Sequence, residues 1–370
     1  MEDSQKMRIL FLANVPSPYR VAFFNTLSRS CRLTVLYQLH ASAERDEKWT
    51  AAQEGDYETV FLKGKATDVD KALCPGIISW LEKGWDAIVI CGNSSPTELL
   101  AIWCKLRRIP YCLEGDGAFA KSGNGLKERI KAQSIRGATL YLSTCQELDK
   151  YYLHYGAKAD ALRRYHFSSL TERDILAAPV SLERKQALRK ALGVPEEKML
   201  LSVGQFIPRK GFDVLLQAVN ALDKHIGVYI VGGKPTEEYL TYARENDLPN
   251  GHFVGFKTKQ ELESYYLAAD LFVLPTREDI WGLVVGEAMS CGLGVITTTM
   301  CNAGLTLIEN GKNGFLVPPE DVRALRMAIT DAIVHSAAFG AAALETIRPY
   351  TVETMAADHM RILAELQKEE

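Results

Sequence analysis

Several large protein classes are excluded by what this sequence lacks. Its eight cysteines, Cys31, Cys74, Cys91, Cys104, Cys112, Cys145, Cys291 and Cys301, include no Cys-x-x-Cys pair. Most lie among apolar residues, the setting of reduced core thiols rather than of a disulfide framework or a zinc site. No apolar run reaches the roughly 18 residues that suggest a membrane-spanning helix. The opening MEDSQKMRIL holds no stretch apolar enough for a signal peptide, so a cytoplasmic protein is expected. No Gly-x-Gly-x-x-Gly follows a strand-like run, which argues against a dinucleotide dehydrogenase, and the phosphate-binding loop of nucleotide hydrolases is missing too. Charge of one sign is also scarce, with 43 basic and 46 acidic residues and a net charge of -3.

What is present suits two globular cores. A chain of 370 residues with 47% apolar and 24% charged residues exceeds the usual limit of a single core. Near-continuous apolar runs at 7–13, 33–37, 87–91, 111–113 and 139–143 read as strands buried on both faces. Helical patterns lie between them, through Phe23, Phe24 and Leu27 and at 69–82, 97–107, 126–135 and 146–155. The segment 38–55 is polar and unperiodic, as expected of an irregular excursion or a mobile loop. Between 166 and 198 the character changes to a connection carrying a charged helix at 182–192, closed by Gly193 and Pro195.

A second alternating series follows the connection. It has strands at 200–203, 228–231, 252–254, 271–274, 294–298 and 314–317. Its helices fall at 212–222, 236–246, 259–268 and 322–332, with a last one at 352–366 after Pro349. Strands alternating with helices of this length predict an α/β protein with two Rossmann-like, doubly wound parallel-sheet domains facing a central cleft.

The stretch 274–298 organises the chemistry. A buried strand passes through a Pro-marked loop into a helix that starts near Gly282, and the first amides of such a helix form a ready anion site. Asp279 and Glu287 bracket it. Carboxylates beside a phosphate site are repelled by the phosphate unless they point past it, so they suit hydroxyls on either side. An acid, seven residues, then Glu, with Trp281, Gly282 and Leu283 between, resembles the signature of family 4 retaining glycosyltransferases of the GT-B fold.

The resemblance implies roles residue by residue. Glu287 would bind the nucleotide ribose, Asp279 or its neighbour Glu278 would meet the donor sugar, and the backbone of Ile280, Trp281, Gly282 and Leu283 would hold the diphosphate. The turn from Gly204 to Gly211, with Arg209 and Lys210, looks like the family's basic clamp on the departing diphosphate. Gln205 stands where the family usually has Arg, and whether Arg209 substitutes is open. Gly232 and Gly233, and the loop with Phe256 and Lys257, correspond to further donor contacts, the latter to the nucleobase. Gly286 and Gly294 depart from the larger residue and the proline usual there.

On the acceptor side, the loop carrying Pro16, Ser17, Pro18, Tyr19 and Arg20 resembles the first loop of bacterial polysaccharide glycosyltransferases of this type. Glu114, Gly115, Asp116 and Gly117 follow a strand directly, and Asp116 is the candidate partner of an acceptor hydroxyl. The resemblance implies residues 1–167 as the acceptor-side domain, 168–351 as the nucleotide-sugar domain, and a terminal helix within 352–370 packing back on the first.

The implied reaction is metal-independent and cofactor-free transfer of a hexosyl unit from a nucleotide diphosphate sugar to a hydroxyl of a polysaccharide or glycolipid, of the bacterial capsular, exopolysaccharide or lipopolysaccharide type. No metal ligand set is expected. Thirteen basic against seven acidic residues from 101 to 173 leave +6, a charge suited either to an ordinary solvated face or to the inner face of an anionic membrane. Nucleic acid is not an expected partner, because no aromatic-rich basic platform accompanies the charge. Two other readings stay open: a nucleotide-sugar epimerase of the same fold, and a catalytically silent sugar- or partner-binding protein.

Overall fold

A computed structural model of the chain describes residues 6–41, 55–69, 71–92, 95–120, 123 and 125–368. Most of the expected excursion at 38–55, and Lys121, fall outside these residues. The chain forms two compact units, Met1–Ser169 with Tyr350–Glu370, and Leu170–Pro349.

The first unit runs β1 (Arg8–Ala13), α1 (Pro18–Ser28), β2 (Arg32–Tyr37), β3 (Glu58–Phe61), β4 (Lys65–Asp68), β5 (Lys71–Leu73), α2 (Ile78–Leu81), β6 (Ala87–Cys91) and α3 (Ser95–Arg107). It continues through β7 (Cys112–Glu114), α4 (Leu126–Ile135), β8 (Leu140–Ser143), α5 (Gln146–His154) and β9 (Leu162–Arg164). Seven of these strands form one parallel sheet in the order β3-β2-β1-β6-β7-β8-β9. The order reverses direction between β1 and β6. Loops leaving the carboxyl ends of strands at such a switch point diverge and leave room for a ligand.

The second unit begins with α6 (Leu182–Leu192) and β10 (Lys198–Val203). It proceeds through α7 (Phe212–Asn220), β11 (Ile226–Val231), α8 (Glu237–Glu245), β12 (Gly251–Val254), α9 (Lys259–Ala268), β13 (Leu271–Leu274) and α10 (Leu283–Ser290). Then come β14 (Gly294–Thr298), α11 (Asn302–Leu307), β15 (Gly314–Val317), α12 (Val322–Val334) and α13 (Ser336–Ile347). Its six-stranded parallel sheet has the order β12-β11-β10-β13-β14-β15, with the switch point between β10 and β13. Leu271, Phe272, Val273 and Leu274 are fully buried, each contributing about 1.5–3 kcal/mol of apolar burial. Four such residues make β13 a fixed base for the loop that follows it. A last helix, α14 (Val352–Leu363), belongs to the first unit and packs on α1.

Several expectations are corrected. The helix read at 69–82 is instead β5, paired antiparallel with β4, then a single 3-10 turn at Pro75–Ile77 and the short α2. Pro75 and Gly76 break the pattern, since proline lacks the N–H a helix interior needs. The terminal α-helix ends at Leu363, and Ala364–Lys368 continue as a 3-10 turn. Two helices, α11 and α13, lie outside the helical stretches expected from sequence. The sequence of α13, SAAFGAAALETI, has little periodicity because small residues line it. Gly340 within it lies so near the Gly292 carbonyl that a Cβ would collide. Gly294 is explained in the same way, for a Cβ there would come 2.6 Å from Phe339 Cβ.

Candidate functional site

In the second unit the two loops at the switch point are stitched together. After β10, Gly204 has no side chain, and the Lys210 stem lies over it, 3.4 Å from where a Cβ would stand. Phe206 is buried against Phe212 at 5.4 Å and anchors the loop. Pro208–Lys210 form a 3-10 turn, and Gly211 at φ +68° ends it where a Cβ would strike the Pro275 carbonyl. The Arg209 carbonyl accepts from the Arg277 amide at 2.8 Å and from Thr276 Oγ1 at 2.9 Å. Arg277 pairs in turn with Asp213 at 2.6 Å and with Glu320 at 2.9 Å. The basic turn is therefore fixed to the loop leaving β13.

That fixation sets the charges. Lys210 Nζ lies 2.5 Å from Asp279 Oδ2, and Arg209 Nη1 lies 3.6 Å from Asp279 Oδ1. Arg209 Nη1 also donates to the Glu278 carbonyl at 2.7 Å. The Asp279 carboxylate thus meets both cations. Gln205 lies in the same loop, ahead of the 3-10 turn that carries Arg209.

The segment at 300–303 holds the loop from behind. The Asp279 amide donates to Met300 O at 2.8 Å, Asn302 Nδ2 to Ile280 O at 2.7 Å, and the Ala303 amide to Trp281 O at 2.9 Å. Cys301 Sγ donates to Trp281 O at 3.1 Å. With these carbonyls engaged and the Trp281 ring buried, Gly282 turns at φ +99° and caps α10. A positive φ here is why glycine is needed. The start of α10 brings helix-terminal amides and the positive end of a helix dipole to the loop that Lys210 contacts through Asp279.

Glu287 is the fifth residue of α10, about 6 Å along its axis from the first. Tyr266 Oη donates to its Oε2 at 3.1 Å. Burial pushes the Glu287 carboxyl up from its ordinary value, with Asp174 adding to the shift and the Tyr266 bond and Lys259 opposing it. Gly232 sits where a Cβ would strike the Gly204 carbonyl, whereas Gly233 has open space. Phe256 is 44% exposed and Lys257 half-buried beyond the end of β12. Gly286, by contrast, has only ordinary contacts at a Cβ position, 3.6 Å from Ile347.

The first unit gathers a second cluster at its own switch point. Pro18, Tyr19 and Arg20, read as loop, form the first turn of α1, because proline at N1 starts helices readily. Pro16 and Ser17 are buried and Pro18 exposed. Arg20 reaches from α1 to Glu114 Oε1 at 2.7 Å and to Asp116 Oδ1 at 2.5 Å, and Tyr19 Oη donates to Asp116 Oδ2 at 2.9 Å. Glu114, also expected to face an acceptor, is instead 1% exposed and consumed by the interior. Tyr165 Oη donates to it at 3.0 Å, Cys91 Sγ donates at 3.0 Å, and His359 Nε2 of α14 lies 3.5 Å away. Burial alone would raise Glu114, but Arg20, with His359 and Cys91, holds it well below the usual carboxylate range.

Asp116 differs from Glu114. Burial raises its pKa, with Glu114 adding and Arg20 opposing, and its side chain remains 32% exposed. It is the carboxylate of this cluster that a ligand can reach. Gly115 is crowded by Tyr152 and Leu148, and Gly117 turns at φ +143°. Tyr165, Cys91, His359 and Tyr266 were not singled out from sequence. Each resembles an ordinary core residue until its polar partner is seen.

All eight cysteines are free and buried. Among the described residues no group of three His, Cys, Asp or Glu side chains is placed to hold a metal ion. No single described helix is long and apolar enough to cross a membrane.

Comparison with known proteins bears on the same region. Residues 197–335 match the glycosyl transferases group 1 family. The chain is 32% identical over 210 residues to a D-inositol 3-phosphate glycosyltransferase of Streptomyces bingchenggensis, covering 51% of this chain and 44% of that protein. It is 30% identical over 176 residues to the GDP-mannose-dependent alpha-(1-6)-phosphatidylinositol monomannoside mannosyltransferase of Mycolicibacterium smegmatis, covering 43% and 46%. The chain thus spans less than half the length of these curated relatives. Among solved structures, Anabaena HepE in complex with UDP superposes with a TM-score of 0.76 at 19% identity, over 97% of this chain and 100% of that one. Residues 197–335 thus resemble the glycosyl transferases group 1 family, within a chain that has the GT-B fold.

Proposed function

We propose that the chain is a family 4, retaining glycosyltransferase that moves a hexosyl unit from a nucleotide diphosphate sugar to a hydroxyl of a polysaccharide or glycolipid acceptor. The observation that carries this reading is the meeting of Lys210, Arg209 and Asp279 at the loop that starts α10. Two cations against one carboxylate leave a net positive charge beside helix-terminal amides, which suits a diphosphate that gains charge as it departs. HepE, a structural neighbour, was solved with UDP, and the mannosyltransferase relative is named for GDP-mannose, so a nucleotide sugar fits this family setting.

In the proposed reaction the bond between the sugar's anomeric carbon and the diphosphate oxygen breaks, and a bond from the acceptor oxygen to that carbon forms on the same face. The acceptor proton passes to the departing diphosphate, so no dedicated side-chain base is needed. Lys210 and Arg209 neutralise the leaving group, in the role a metal ion fills elsewhere, and the reaction proceeds without metal or cofactor. Asp279 positions the sugar, Glu287 accepts from the ribose hydroxyls, and Asp116 accepts from the acceptor. The phosphatidylinositol monomannoside in one relative's name supports a lipid-linked acceptor. We place the protein in the cytoplasm, at the inner face of the membrane.

The test is hydrolysis and transfer across a panel of nucleotide sugars, with and without a chelator, and the anomeric configuration of the product read by NMR. Turnover that survives chelation and retains configuration supports the reading. Turnover unchanged in both Lys210→Ala and Glu287→Ala removes it. Co-sedimentation with anionic vesicles tests the membrane placement.

A further inference from the structure

Helices α9 and α10 share one polar contact through their side chains. Tyr266 in the last turn of α9 donates its hydroxyl to Glu287 Oε2 at 3.1 Å, from a ring that is 4% exposed and packs against Phe272 at a centroid distance of 5.9 Å. Among the described residues it is the side chain that bonds this carboxylate. Lys259 at the start of α9 is engaged elsewhere, 2.8 Å from Asp174. Glu263 on α9 and the Cys291 thiol, pushed up to about 12 mainly by its burial, complete the titratable groups nearby.

This arrangement is costly unless it is used. A phenol and a carboxylate taken from water need each other as partners, and an apolar pair would have filled the same volume without that need. Burial and the adjacent Glu287 push the Tyr266 hydroxyl far up, so it stays a donor, and its bond opposes the burial that raises Glu287. Because the ring is packed, the donated bond also fixes the carboxylate's rotamer.

We infer that Tyr266 is a positioning residue that commits Oε2 of Glu287 and presents Oε1, and so sets the preference of this site for a ribose over a deoxyribose nucleotide. The inference rests on the reading of Glu287 as the ribose partner. A pre-aimed carboxylate oxygen bonds a sugar hydroxyl without first losing side-chain freedom, and the bond is stronger when the group is charged. Without the phenol the carboxylate turns more freely and takes up a proton more readily, and a protonated carboxyl is a weaker acceptor.

The experiment is calorimetric titration of UDP, GDP and ADP, with the 2′-deoxy and 3′-deoxy forms of whichever binds, into wild type, Tyr266→Phe and Glu287→Gln from pH 5.5 to 8.5. Thermal melts confirm that each variant is folded, and the phenylalanine replacement removes one oxygen while filling the same space. Wild type should prefer the ribose form, and Glu287→Gln should lose that preference. Tyr266→Phe should lower the preference about tenfold, and the loss should be no smaller at the acid end of the range than at the alkaline end, because the missing bond favoured the charged carboxylate. A Tyr266→Phe ratio equal to wild type across the pH range overturns the positioning role and leaves the ribose reading standing. A wild type that binds none of the three nucleotides, or does not distinguish ribose from deoxyribose, overturns the ribose reading and the inference with it.

Discussion

Lys210 and Asp279, 69 residues apart in sequence, meet at 2.5 Å, with Arg209 3.6 Å from the same carboxylate. The cations assigned to the diphosphate are thus already partly neutralised, and an arriving anion competes with Asp279 for them. Asp279→Asn removes the competitor. Its affinity for a free nucleoside diphosphate is expected to rise several-fold, roughly 3–10-fold, while sugar turnover falls by about 10- to 100-fold. Calorimetry and donor turnover on one preparation separate the two effects. A weaker affinity in the variant would show that Asp279 aids anion binding instead.

Glu287 carries a linked prediction for stability. Its carboxyl is raised by burial above the ordinary 4.5, so the folded state binds its proton more tightly than the unfolded state does. Stability from this group is greatest at low pH and declines as pH rises through 4.5 toward the raised folded value. Glu287→Gln removes the charge, so its melting temperature should equal or exceed that of wild type at pH 7 and gain nothing at pH 4, while the preference for ribose over deoxyribose nucleotides is lost. Thermal melts at both pH values check the sign.

Glu114 runs the other way. Its carboxyl is held far below the ordinary 4.5 in the fold, chiefly by Arg20 against the cost of burial, so its contribution is complete above 4.5 and is lost as pH falls below that value. Glu114→Gln should cost about 3–5 kcal/mol near neutrality, because Arg20 is left buried with less compensation. It should also flatten the acid limb of the melting curve. An acid limb as steep as that of wild type would assign the loss to other carboxylates.

Gly211→Ala tests the base of the clamp. The position combines φ +68° with a collision against the Pro275 carbonyl. Substitution should cost about 1–3 kcal/mol from the backbone conformation, plus the displacement of the loop that carries Lys210. Urea melts should show the loss, with turnover reduced further than folding alone explains.

The parallel-sheet architecture was legible because strands buried on both faces spell continuous apolar runs, as in Leu271–Leu274. The helix start near Gly282 was legible from the Pro-marked loop before it, and the structure adds that Gly211 and Gly282 take positive φ, as glycine allows. The contact of Lys210 with Asp279 was not, since it depends on β10 and β13 lying side by side at the point where strand order reverses. Glu114 was misplaced for a related reason. It closes β7, and the sheet directs it inward to Arg20, while Asp116 two residues on keeps partial exposure. Tyr165, His359 and Tyr266 carry no local signal, because a single buried ring acquires a polar role only through its partner in space.

The most direct measurement compares nucleoside diphosphate with nucleoside monophosphate binding, for the base that binds best, in wild type and Lys210→Ala. If Lys210 and the start of α10 grip the second phosphate, wild type favours the diphosphate and the variant loses most of that preference while still binding the monophosphate. Equal affinity of wild type for the two nucleotides, or a preference that Lys210→Ala leaves intact, contradicts the account.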